Sequence, residues 1–292
     1  MNPAELVRLT PLMERTEGKP EIAVAIIDGP VSLDQPAFSG QRIQQVRTGS
    51  PAACKNLGSV ACSHGTFVTA ILAAKRGSGA PAICPGCSFL VRPIFSESPP
   101  RYGDDPSATP EELATAIADA VQLGARVINL SAALVQPSSR GRFPLSEAFD
   151  YAARRGAIVV AAAGNQPTVG SSAITRHPWV VPVVACDHRG IPTVHSNFGS
   201  SIGKQGLCAP GESVTSLGVT GKPETFGGTS AAAPFVTGGI ALLWSEFPAA
   251  SASEIRLAIG GSQPRISVVP PLMNAWAAYQ AIAFAQNRRK AS

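Results

Sequence analysis

Short apolar runs that stop at turns alternate with amphipathic stretches along most of this chain, and that alternation constrains its fold more than any other feature. "IAVAIID" (22–28) is continuously apolar, the pattern of a parallel strand buried on both faces. "HGTFVTAILAAKR" (64–76) sets Phe67, Ile71 and Ala74 at helical spacing, with Gly77 as a stop. "CSFLVRPIF" (87–95) reads as strand and "TPEELATAIADAVQLG" (109–124) as helix, with Thr109 as N-cap, Pro110 at the first position and acids in the first turn. The pattern repeats as strand (125–131), helix (144–156) and strand (157–165). Such a succession with short links predicts an α/β fold of three layers, a mostly parallel twisted sheet with helices on both faces. Strand-like pieces follow at 179–184, 193–195 and 214–217, then helices at 229–247, 252–259 and 273–286. The last helix puts Met273, Trp276, Tyr279 and Ala283 on one side, a face that packs against the core. No repeat or low-complexity linker interrupts the 292 residues, so the expectation is a single domain: an N-terminal extension (1–20), a core (21–286) and a basic tail (287–292).

Of these residues 45% are hydrophobic and 15% charged, enough for a large core. The net charge of +5 is scattered, densest in "NRRK" (287–290), with no basic stripe interleaved with aromatics, which argues against nucleic acid as a partner. The first twenty residues mix charges without an apolar targeting region, and the run 22–27 is too short to cross a bilayer. The expectation is a cytoplasmic chain with no membrane association. Six cysteines, Cys54, Cys62, Cys84, Cys87, Cys186 and Cys208, leave free thiols, disulfides or zinc open. A cytosolic chain keeps thiols reduced, and the spacing of Cys54 and Cys62 departs from paired C-x-x-C zinc sites.

In a parallel sheet, chemistry gathers where loops leave the carboxyl ends of the strands. Asp28 closes the first apolar run, where a buried carboxylate needs a partner. Of His64, His177, His188 and His195, only His64 opens an apolar helix, and Gly65 behind it lets another stretch of backbone come close. Ser230 stands where the glycine turn of "GGTSAAAPFVTGGIALLW" (227–244) becomes helix; alone it reads as an N-cap. With a base and a carboxylate it reads as a nucleophile, with helix N–H groups near developing negative charge. Asn165 ends another strand, as a turn former or as a donor to an oxyanion. His195 and the "CDH" stretch (186–188) admit a metal reading, which we set below loop and core roles.

"AIIDGP", "SHGTFVTAI", "VINLS", "AAAGN" and "GGTSAAAPFVTG", in that order, resemble the subtilisin-like serine peptidases over roughly residues 21 to 260. The resemblance implies a triad of Asp28, His64 and Ser230 and an oxyanion-hole amide on Asn165. It also implies two substrate-binding strands, Ser131, Ala132 and Ala133 on one side and Ala162, Ala163 and Gly164 on the other. The family's usual Met after the serine is Ala231 here, a change in the packing behind the nucleophile. No pro-segment of usual size precedes Asp28, which implies folding without a cleaved pro-domain. Acids are too sparse to map the family's calcium sites; Asp104 and Asp105 are a weak candidate that reads better as a solvated turn, so no cofactor is expected and structural calcium is left open without support. "DGPVSLDQPAF" (28–38) is similar to the N-terminal peptidases of cyanobactin maturation, which cut leaders from ribosomally made precursor peptides. The 36 positions from Asp28 to His64 leave little room for the inserted helical cap of the macrocyclising relatives, so hydrolysis is expected. The alternatives are a degradative intracellular subtilisin and a catalytically silent peptide-binding module.

Overall fold

The computed structural model describes residues 2–46, 54–97, 108–132, 142–261 and 265–291. Ala133, Asp104 and Asp105 lie outside them. In chain order the helices are α1 (Pro3–Leu6), α2 (Thr10–Arg15), α3 (Val60–Ala73), α4 (Pro110–Gln122), α5 (Arg142–Arg155), α6 (Ala173–Arg176), α7 (Ser200–Gln205), α8 (Thr229–Glu246), α9 (Ala252–Gly260) and α10 (Ala275–Ala291). The strands are β1 (Ala23–Asp28), β2 (Ile43–Gln45), β3 (Ser88–Pro93), β4 (Val127–Leu130), β5 (Ile158–Ala162), β6 (Val180–Cys186), β7 (Leu207–Pro210), β8 (Val214–Leu217) and β9 (Pro223–Phe226).

β1 to β7 form one sheet in the order β2-β3-β1-β4-β5-β6-β7, and every pairing in it is parallel. Alternate side chains of β1 enter different cores, Val24 and Ile26 on the side of α3 and α8, Ala25 and Ile27 on the side of α4 and α5. That is why the strand is apolar throughout: it has no wet face. α8 is buried almost along its whole length, so its small residues Ala231 to Ala233 and Gly238 to Gly239 let it lie tightly in the core. A Cβ on Gly238 would come within 2.5 Å of Ile83. α4 keeps the predicted start: Thr109 and Glu112 close a capping box, satisfying N–H groups that the helix itself leaves free.

Several expectations are corrected. α3 begins at Val60, capped by Ser59, and ends at Ala73, so His64 lies one turn inside it and Gly77 beyond it. Residues 193–195 are not a strand; there the chain makes only an isolated bridge, Pro192 with Cys186. In α10 the core face is Ala275, Ala278 and Ile282, flanked by the half-buried Tyr279 and Ala283, while Trp276 stacks flat on Tyr279 at 4.8 Å. Cys54 and Cys62 form a disulfide, and Cys84, Cys87, Cys186 and Cys208 are free and buried.

Candidate active site

Asp28 is the last residue of β1, at the carboxyl end of a central strand, and His64 is carried by α3; two glycines allow the elements to meet. A Cβ on Gly29 would collide with the Ala61 carbonyl, and one on Gly65 would stand 2.5 Å from the Gly29 oxygen and 2.7 Å from that of Pro30. With hydrogen at both positions the chains interlock, and Asp28 Oδ1 reaches His64 Nδ1 at 2.8 Å. The Gly29 N–H donates to the same oxygen at 2.6 Å. Asp28 is fully buried, a costly place for a carboxylate unless it is paired in this way.

On the other side of the ring, His64 Nε2 lies 2.9 Å from Ser230 Oγ. Ser230 is the second residue of α8, and the N-cap is Gly228 at φ 109°, with no side-chain cap bond. The capping reading of Ser230 is therefore replaced by a contact with a base. If the Nδ1 proton faces the carboxylate, Nε2 is left as the acceptor for the serine proton. Phe226, at the end of β9, stands edge-on to His64 at 6.5 Å and to Phe67 at 4.8 Å, walling the ring on one side. Ser63 donates to Glu224 on the same strand at 2.8 Å.

Asn165 follows β5, exposed beside the start of α8. The Thr229 N–H (2.9 Å) and Oγ1 (3.0 Å) both meet its Oδ1. A backbone N–H can only donate, so the atom facing it is the amide oxygen and Nδ2 points the other way. Thr229 Oγ1 in turn accepts from the Gly164 N–H at 3.1 Å. Thr229 thus fastens the segment after β5 to the helix that carries Ser230. Sequence reasoning assigned it nothing, although it stands inside the quoted G-T-S motif.

β4 and β5 are neighbours, paired through Leu130 and Ala161, so the segments that follow them leave the sheet side by side. Ser131 and Ala132 follow the first, Ala162 ends the second with Ala163 and Gly164 after it, and Gly164 takes φ 104°. Ser131 is buried and its Oγ accepts from Asn129 at 2.8 Å, whose Oδ1 accepts from Thr237 of α8 at 2.8 Å. His177 makes its contacts elsewhere, against α5 and α7, and His195 makes no side-chain hydrogen bond to the described residues of this site. His177 pairs with Asp150 at 3.3 Å, and burial pushes its pKa below the ordinary histidine value, partly offset by that carboxylate.

The subtilase family model matches residues 19–264. Fervidolysin of Fervidobacterium pennivorans is 32% identical over 84% of this chain, which spans only 37% of fervidolysin's length. A mutant of the protease domain of PatA superposes with a TM-score of 0.83 at 31% identity, covering 92% of this chain and 97% of that one. The prenylagaramide maturation protease PagA superposes with a TM-score of 0.80 at 27% identity, covering 93% and 98%. With motif order, sheet topology and these likenesses in agreement, the chain belongs to the subtilase family, as a subtilisin-type serine endopeptidase domain.

Proposed function

We propose that this chain hydrolyses a ribosomally made precursor peptide at the junction of its leader, with Ser230 as nucleophile. The observation that carries the chemistry is the hydrogen-bonded line from Asp28 through His64 to Ser230. Ser230 Oγ attacks the peptide carbonyl, His64 takes its proton and later gives it to the leaving amine, and Asp28 holds the ring and stabilises its cation. Asn165 Nδ2 and the Ser230 N–H receive the negative oxygen of the tetrahedral intermediate. An extended substrate lies between the segments led by Ser131–Ala132 and by Ala162–Gly164, with Ala133 continuing the first. The chain acts as one peptidase domain.

Precursor processing is supported by the likeness, over more than nine-tenths of this chain, to the protease domain of PatA and to PagA, which is named as a maturation protease. A degradative subtilisin would share the same line of residues, so the test must separate the two. Native protein and Ser230→Ala are incubated with leader–core peptides and with unrelated peptides, and the fragments are weighed. One cut at the leader junction, absent with Ser230→Ala, is the expected result. Equal cutting of unrelated sequences at many sites would establish the degradative reading, and cutting undiminished in Ser230→Ala would remove the nucleophile assignment.

A further inference from the structure

Away from the triad, Asp187 and His188 after β6 converge with Glu212 after β7, one donor atom from each lying within 4.8 Å of the others. The two loops are pinned together by backbone: the Cys186 carbonyl accepts from the Gly211 N–H at 3.0 Å and the Glu212 N–H at 3.2 Å. Asp187 is pre-oriented, its Oδ1 accepting from the Arg189 and Ile191 N–H groups at 2.8 and 2.9 Å. The competing cation, Arg189, reaches Oδ2 through one N–H at 3.3 Å from a largely exposed side chain, a weak hold. The side chains of His188 and Glu212 hydrogen-bond nothing else among the described residues. A cavity of about 650 Å³ opens against all three, with Glu14 and Arg76 on its wall, room enough for water to complete a coordination shell.

We infer that Asp187, His188 and Glu212 form a binding site for a divalent transition cation of the zinc type. One imidazole and two carboxylates with an open position are the donor set of such an ion, whereas calcium needs six or more oxygens. The site is mechanically tied to the nucleophile. Gly211, beside Glu212, accepts at its carbonyl from the Gly228 N–H at 2.7 Å, and Gly228 opens the turn into Thr229 and Ser230. An ion bridging the two loops clamps the floor of that turn, and ligand bound only by the folded chain raises its stability.

The test is calorimetric titration of the chelator-stripped full chain with Zn2+, beside His188→Ala and Glu212→Gln, both at exposed positions. One zinc per chain is expected, with affinity at least about tenfold lower in each variant, given that even groups behind the ligands matter by that much. The thermal midpoint should rise with zinc in the native chain and far less in either variant. Absorption of a cobalt-substituted sample gives a readout independent of activity: ligand-field bands of a four-coordinate site, lost in His188→Ala. No uptake by the native chain at micromolar metal, equal affinity in native and variants, or unchanged cobalt bands in His188→Ala would each overturn the assignment.

Discussion

At the residue scale the proposed mechanism leans, after Asp28, His64 and Ser230, on the amide of Asn165, whose orientation is set by Thr229 rather than by its own loop. Asn165→Ala is expected to lower kcat by about 100- to 1000-fold, the effect of removing one oxyanion donor. KM should stay nearly constant, since the donor acts on charge that develops only during the reaction. Steady-state kinetics on a single-junction peptide checks this; a rise in KM at constant kcat would instead make Asn165 a ground-state binding residue. Asp28, His64, Ser230 and Asn165 were legible as motif positions because each must stand in a particular local context of strand end, glycine or helix start. Thr229 was not legible in its role, since a bond to a residue 64 positions away has no local pattern. The same holds for the Asn129–Thr237 bond across 108 positions.

At the scale of elements, α3 carries His64, and its first turn is tied by the Cys54–Cys62 bond, Cα atoms 5.6 Å apart. Cys62 is buried two residues before His64. Closing so short a loop restricts the unfolded chain by about 2–3 kcal/mol. Cys54→Ser is therefore expected to lose about that much in urea unfolding, with the difference vanishing when both proteins are reduced. The bond also sets a tension with the cytoplasmic expectation, because reducing compartments keep such thiols open. Elements with long periodic patterns, β1, α4 and α8, could be read nearly to their ends. β2, β7 and β9 could not. β2 is three half-exposed or exposed residues at the sheet edge, β7 is only "LCAP" with a closing proline, and β9 opens on proline with alternate residues exposed. Their pairing is dictated by neighbours, not by their own period.

At the scale of the whole molecule, His177 reports on packing that several helices share. It lies against Phe149 of α5, its side chain is 9% exposed, and its carbonyl accepts from Gln205 of α7. Its folded pKa is depressed, so as pH falls through about 6.5 the unfolded chain takes up the proton first. Its contribution to stability is thus intact above that pH and is lost as pH falls toward the lower folded value. His177→Gln should flatten the drop in thermal midpoint between neutral and mildly acidic buffer; an unchanged drop would assign it to other groups. The order of strands has a consequence for biosynthesis. β1, which carries Asp28, is central yet is made early, while the serine that completes the line follows His64 by 166 positions, on the helix buried in the core. On the proposed mechanism, a ribosome-bound chain therefore holds the carboxylate and the imidazole before the nucleophile, and cannot cut its surroundings until every strand of the sheet has been translated.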